Sequence, residues 1–324
     1  MNMPRDRVPV ISIDALRAPA TRRALDRACR EWGFFQVVDH GIPPRVIEAV
    51  DRQMRAFFAR DVVAKRAISR TATNPWGFYD RELTKNVRDL KEIYDYGPPG
   101  AGGIEPQWPA DLPEFAPAVR AHYRACETLA RRLLAAIAAN LGVPAEHVLR
   151  CFEPEHTSFL RLNYYPPCAG RAPADGRGGN GGLGINPHTD AGALTVLLQD
   201  DQPGLEVRRD ARWYLVEPRA DALVVNIGDI VQVWSNDRYR APLHRVRAST
   251  TTARFSAPFF FNPGYEAHYQ PLPATVDDDH PPRYRPINWG EFRARRAAGD
   301  YADQGEEIQI SHYRIQPGEA PWHS

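Results

Sequence analysis

A chain of 324 residues with 43% apolar and 25% charged side chains can bury a large core, which excludes the disordered and fibrous classes. Its 41 Lys and Arg against 40 Asp and Glu leave a net charge of +1, so no global field gathers phosphates or anionic lipid and no nucleic-acid partner is expected. No apolar run approaches the ~18 residues of a membrane span, and 30 prolines, about 9% of the chain against a usual ~5%, argue against a helix bundle.

Val8-Pro9-Val10-Ile11 is too short for a signal-peptide core, so a cytoplasmic location is expected. Residues 1–150 read mainly as helix. Ala24, Leu25, Ala28, Cys29 and Trp32 recur at helical spacing before a stop at Gly33, and Ile47, Val50, Met54 and Phe57 repeat the pattern. The longest helix is expected from about Pro117 to Leu141. Phe34 to Val38 reads as a strand ending in the Asp39-His40-Gly41 turn. From Ser158 to Tyr265 the texture changes to short strand-like runs: Ala193 to Leu198, Arg212 to Val216, Ala222 to Asn226, Ile230 to Trp234 and Phe255 to Phe261. Such spacing suggests a sandwich or barrel, and a charged helix from Trp289 to Ala298 follows. The expected division is a helical region, 1–150, packed on a core, 151–324. The four cysteines, Cys29, Cys126, Cys151 and Cys168, include no Cys-x-x-Cys and are read as free thiols.

Gly179 to Gly184 matches G-x-G-x-x-G, but a dinucleotide fingerprint needs a preceding strand and a following helix N-terminus. Here Pro187 and a leucine-rich strand follow, so the segment is read as a flexible surface loop. The chemistry lies beyond it. In an extended Asn186-Pro-His-Thr-Asp190, His188 and Asp190 share one face. His244, 56 residues later, would complete two imidazoles and a carboxylate around one metal with open positions, the pattern of non-haem Fe(II) oxygenases. Arg254 and Ser256 share a face of an otherwise apolar strand. A buried guanidinium needs an anion, either a carboxylate ligand held bidentately or a structural Asp or Glu. His40, His122 and His147 have no such context, and Asp277-Asp-Asp-His280 reads as a solvated acidic loop.

These residues lie within longer motifs: Val8-Pro-Val-Ile-Ser-Ile13, Trp32-Gly-Phe-Phe-Gln36, Asp39-His-Gly-Ile-Pro43, Asn163-Tyr-Tyr-Pro-Pro-Cys168, Pro187 through Gln199, Asn226-Ile-Gly-Asp229, Gln232-Val-Trp-Ser-Asn236, Leu243-His-Arg-Val246 and Arg254-Phe-Ser256. In them the sequence resembles, over nearly its whole length, the isopenicillin N synthase-like branch of the Fe(II)- and 2-oxoglutarate-dependent dioxygenases. The resemblance implies a mixed α and β fold, a double-stranded β-helix (jelly-roll) core wrapped by N-terminal helices. It also implies Fe(II) held by His188, Asp190 and His244, and the distal carboxylate of 2-oxoglutarate held by Arg254, Ser256 and Tyr165. Asn163 would lie near the metal end, and Phe260 would face the substrate. The implied reaction uses O2 and 2-oxoglutarate to hydroxylate, desaturate or cyclise a small molecule, releasing succinate and CO2.

The alternatives are an Fe(II) oxidase of isopenicillin N synthase type that works without 2-oxoglutarate, a zinc hydrolase, and a metal-free binding protein. No obligate protein partner is evident. Selectivity is expected in two segments: Gly77 to Tyr96, with Thr84-Lys-Asn86 and Arg88-Asp-Leu-Lys-Glu92, and the loop Ala169 to Gly184. That loop is either a tolerated insertion or a lid whose Arg171 and Arg177 meet an acidic substrate.

Overall fold

β-branched and aromatic runs in the second half of the chain pair into two sheets that share one apolar interior. The computed structural model describes residues 6–84, 87–99, 103–168, 183–299 and 308–316. In chain order its strands are β1 (Val10–Ser12), β2 (Phe34–Val38), β3 (Gly77–Tyr79), β4 (Leu83–Thr84), β5 (Val87–Arg88), β6 (Glu92–Tyr96), β7 (Phe159–Tyr165) and β8 (Leu183–His188). They continue as β9 (Leu194–Gln199), β10 (Leu205–Arg209), β11 (Arg212–Leu215), β12 (Leu223–Ile227), β13 (His244–Arg247), β14 (Arg254–Phe261), β15 (His268–Tyr269) and β16 (Ile287–Asn288). The helices are α1 (Pro19–Glu31), α2 (Pro44–Phe58), α3 (Val62–Arg66), α4 (Phe115–Asn140), α5 (Ala145–Leu149), α6 (Asp229–Trp234) and α7 (Trp289–Gly299).

The major sheet runs β1-β2-β12-β9-β14-β7-β6-β3 and the minor sheet β11-β10-β13-β8. β7 through β14 therefore divide between two sheets, with β12-β9-β14-β7 in one and β11-β10-β13-β8 in the other, which is the double-stranded β-helix or jelly roll. Alternation assigns the faces. Phe34, Leu197 and Val224 point inward with Val207 and Val246 of the minor sheet, while Phe35, Val196, Leu198 and Val225 point outward into the helical core. Both faces of the major sheet are thus covered, which is why all six residues of β9 are buried.

α1, α2 and α4 are the helices the apolar periodicity predicts. α4 carries Val119, Tyr123, Cys126, Ala130, Leu133 and Ile137 in its buried stripe, and Gly33 stops α1 with φ +62, a conformation that favours glycine. No helix among the described residues is long and apolar enough to cross a membrane. All four cysteines are free.

Two readings are corrected. Ile230 to Trp234 is helical: α6 follows Gly228, and all six of its residues are buried. A short run apolar on every side carries no periodicity that separates helix from strand. Residues 1–150 also contribute strands. β1 and β2 extend the major sheet beyond β12, and β6 and β3 extend it beyond β7. β2 is the strand expected at Phe34 to Val38, whereas β1, β3 and β6 are three to five residues long, too short for a strong alternation, and pairing defines them.

Phe57 of α2 joins the helical layer to the sheet extension. Its ring lies 5.1 Å from Phe115, 5.2 Å from Tyr94 and 6.2 Å from Phe78. Phe57→Ala should cost about 3–5 kcal/mol of stability through the cavity it leaves, read as a lowered midpoint in urea unfolding. A midpoint equal to wild type would show that the aromatic cluster is not what fastens α2.

Candidate active site

His188 ends β8 and His244 begins β13, and the two are direct partners across the antiparallel ladder. Their ring centroids are 4.3 Å apart. Each ring is oriented from behind by a carbonyl two residues upstream: His188 Nδ1 lies 2.8 Å from the Asn186 carbonyl and His244 Nδ1 3.1 Å from that of Pro242. With the proton on Nδ1, each Nε2 presents its lone pair forward. Both Nε2 atoms lie 3.7 Å from Asp190 Oδ1.

Asp190 lies beyond the end of β8, so strand parity does not bring it to His188. The turn into β9 does. Its carbonyl accepts the Asp229 N–H, 2.8 Å, at the start of α6. Its carboxylate is divided in function. Oδ2 accepts Thr195 Oγ1 at 2.5 Å and Asn226 Nδ2 at 2.7 Å, which leaves Oδ1 for the imidazoles. Burial acts to raise the Asp190 pKa, but the two histidines and these two donors outweigh it and hold it below the ordinary value. Burial, with the His244 imidazole alongside, pushes His188 down to about 3, so its ring is neutral at pH 7.

One donor atom from each of these residues lies within 4.8 Å of the others. An ion ~2.1 Å from each nitrogen and oxygen fits that span. Two neutral imidazoles and one carboxylate are a donor set suited to Fe(II), and they leave coordination positions open.

Arg254 begins β14 opposite Tyr165, and Ser256 lies opposite Asn163. The guanidinium is 2% exposed. Its Nη2 donates to Gln199 Oε1 at 3.0 Å, its face lies 5.2 Å from the Tyr165 ring centroid, and Nε and Nη1 have no hydrogen-bond partner among the described residues. The Asp200 carboxylate interacts with its charge but accepts the Phe255 N–H, and it leaves these two donors unused. Asn163 Nδ2 donates to Ser256 Oγ at 3.3 Å, while Asn163 Oδ1 is also without a partner. Unpartnered buried donors beside a hydroxyl match a carboxylate ligand.

Gly184 belongs to this site and not to a loop. It lies in β8, and a Cβ there would fall 2.5 Å from Tyr165 Cδ1. The missing side chain makes room for the ring beside Arg254.

A cavity of about 140 Å³ opens on His188 and Asp190, lined among others by Glu82, Arg161, Phe159 and Phe260. Phe260 faces the cavity as expected, stacked 4.6 Å from Phe159. Arg161 is held by Asp95 at 2.7 Å and Glu82 at 2.7 Å. The 77–96 segment thus supplies a buried ionic wall, with Glu82, Thr84 and Lys91 facing the cavity. Lys85 and Asn86 lie outside the described residues, as do Arg171, Arg177 and residues 169–182 of the expected lid. Thr195, Gln199 and Asn226 were not singled out as site residues, although each is a polar residue in an apolar strand, the same signal that marks Arg254.

A family model described as the 2OG-Fe(II) oxygenase superfamily matches residues 156–263. One described as non-haem dioxygenase in morphine synthesis N-terminal matches residues 8–118. Jasmonate-induced oxygenase 1 of Arabidopsis thaliana is 34% identical over 88% of this chain and 71% of its own. The chain belongs to the 2OG-Fe(II) oxygenase superfamily. Gibberellin 2-beta-dioxygenase 5 of Oryza sativa subsp. japonica is 32% identical over 95% of this chain and 88% of its own. Among solved structures, JOX2 in complex with 2OG, Fe and JA superposes with a TM-score of 0.78 at 32% identity, covering 89% of this chain and 84% of that one. As a member of the superfamily, the protein is an Fe(II)- and 2-oxoglutarate-dependent oxygenase that oxidises a small molecule and forms succinate and CO2.

Gly184→Ala should push the Tyr165 ring out of its place beside Arg254. Overpacking of this kind costs roughly 1–3 kcal/mol of folding stability, and if the displaced ring loses about 1.4 kcal/mol of 2-oxoglutarate binding the Kd should rise about tenfold, with Fe(II) affinity unchanged. Calorimetric titration of both ligands checks this. Unaltered 2-oxoglutarate affinity would remove Tyr165 from the binding site.

Proposed function

We propose that His188, Asp190 and His244 hold the iron of this oxygenase, and that Arg254, Ser256 and Tyr165 hold the C5 carboxylate of 2-oxoglutarate, with Asn163 near the metal end. The convergence of two Nε2 atoms and one carboxylate oxygen, each already oriented by a partner on its far side, carries this reading. Bound iron and 2-oxoglutarate supply the activation of dioxygen. The chain's own groups do the rest. Thr195 and Asn226 keep Asp190 ionised and aimed, Arg254 fixes the cosubstrate by its far end, and the apolar interior excludes water.

The prime substrate rests an apolar face on Phe159 and Phe260 and directs polar groups toward Glu82 and Arg161. Phe260, two residues beyond Pro258 on the cavity side of β14, supports this placement. We assign the enzyme to the cytoplasm, a reading supported by its four unpaired cysteines.

The test begins with anaerobic addition of 2-oxoglutarate to the Fe(II) protein, which should produce a metal-to-ligand charge-transfer band. A screen of substrate-stimulated succinate release, including jasmonate and gibberellins as probes, follows. His244→Ala should lose the band and turnover and bind iron weakly. Breaking a buried charge pair costs about 3–5 kcal/mol, so Arg254→Ala should raise the 2-oxoglutarate requirement by two orders of magnitude or more. Arg254→Lys keeps the charge without the bidentate fork and should recover only part of it. Wild-type iron affinity in His244→Ala, or wild-type 2-oxoglutarate affinity in Arg254→Ala, would overturn the corresponding assignment.

A further inference from the structure

β8 carries an iron ligand at its end, yet it is the edge strand of the minor sheet. Its pairing with β13 is irregular where precision is needed: the register shifts between His188 and Ile185, and Asn186 and Pro187 have no partner residue across the ladder. An edge strand held this loosely does not by itself fix an imidazole. The hold comes from the other side, where Asp89, following the β4–β5 pair, meets the free edge.

The Asp89 side chain is fully buried and accepts four hydrogen bonds. Oδ1 accepts the Asn186 backbone N–H at 3.2 Å and Asn186 Nδ2 at 3.0 Å. Oδ2 accepts Thr84 Oγ1 at 2.7 Å and is paired with Lys91 Nζ at 3.0 Å. The Asn186 carbonyl then accepts the hydrogen bond of His188 Nδ1–H, with Nδ1 at 2.8 Å. One residue separates the Asp89 carboxylate from the ring of the ligand.

We propose that Asp89 is a positioning residue for His188, fixing Asn186 from the wall of the substrate cavity so that the imidazole keeps its Nε2 toward the iron. The proposal rests on the assignment of His188 as a ligand. A carboxylate is suited to this place because its two oxygens accept from four donors at once. The same network faces the cavity, since Lys91 also pairs with Glu82 at 2.6 Å and both line it. Burial favours the neutral amine of Lys91, but Asp89 and Glu82 outweigh it and hold its pKa above the ordinary value. Lys91 therefore stays charged.

The test measures iron binding by the metal-free full chain under anaerobic conditions, and the charge-transfer band after 2-oxoglutarate is added. The variants are Asp89→Asn, the double variant Asp89→Asn with Lys91→Met, which removes the cation left short of a partner, and Asn186→Ala, which keeps the backbone contact. Phe57→Leu, in the helical core, serves as a control for lost stability. Loss of a partner that orients a metal-binding histidine typically costs about 10–100-fold in metal affinity. Both Asp89 variants should show an Fe(II) Kd raised about tenfold or more and a displaced band, with Asn186→Ala intermediate. Phe57→Leu should lower the melting temperature and leave Kd and band at wild-type values. Wild-type Kd and band in all the Asp89 and Asn186 variants would overturn the proposal while the ligand assignment stands. A wild-type protein that binds no Fe(II) would overturn both.

Discussion

A guanidinium enclosed between two β-sheets with two of its nitrogens unpartnered is the constraint around which this molecule is arranged. Arg254 cannot be neutralised by losing its proton, and isolating a charge from water costs several kcal/mol. Gln199 and the Tyr165 ring meet it only in part. The remaining donors suit a further anion, and the jelly roll sets them on the sheet opposite the histidines. β14 and β7 place Arg254 and Ser256 beside Tyr165 and Asn163 on the major sheet, and β8 and β13 place His188 against His244 on the minor sheet. In the proposed arrangement, a dicarboxylate with a metal-binding keto acid end would join the two.

The two ends of the site are prepared differently. At Arg254 the donors are left open for a ligand. At Asp190 the protein completes one carboxylate oxygen and turns the other toward the two imidazoles. Thr195 and Asn226 belong to the major-sheet strands β9 and β12, while the histidines belong to the minor sheet. The proposed metal site therefore depends on the two sheets keeping their separation, which the shared apolar core of Phe34, Leu197, Val207 and Val246 maintains.

Much of this was legible in the sequence because the signal is contrast. A polar residue in an apolar strand stands out, as Arg254 and Ser256 do in Arg-Phe-Ser-Ala-Pro-Phe-Phe-Phe, and a long amphipathic stripe such as that of α4 is unmistakable. What was not legible depends on partners distant along the chain. Glu82 and Arg161 are 79 residues apart and Asp89 and Asn186 are 97 apart, and no local pattern announces such pairs. Gly184 read as loop because its small size answers a ring in another strand. Ile230 to Trp234 read as strand because burial on every side erased the helical period.

The claim that Arg254 is completed by the cosubstrate is tested most directly by a crystal structure of the full chain grown anaerobically with Fe(II) and 2-oxoglutarate. The account expects the C5 carboxylate on the Arg254 nitrogens that now lack partners and on Ser256 Oγ, with the opposite end of the molecule at the metal held by His188, Asp190 and His244. A 2-oxoglutarate bound elsewhere, or an Arg254 whose Nε and Nη1 find protein partners in that complex, would contradict it.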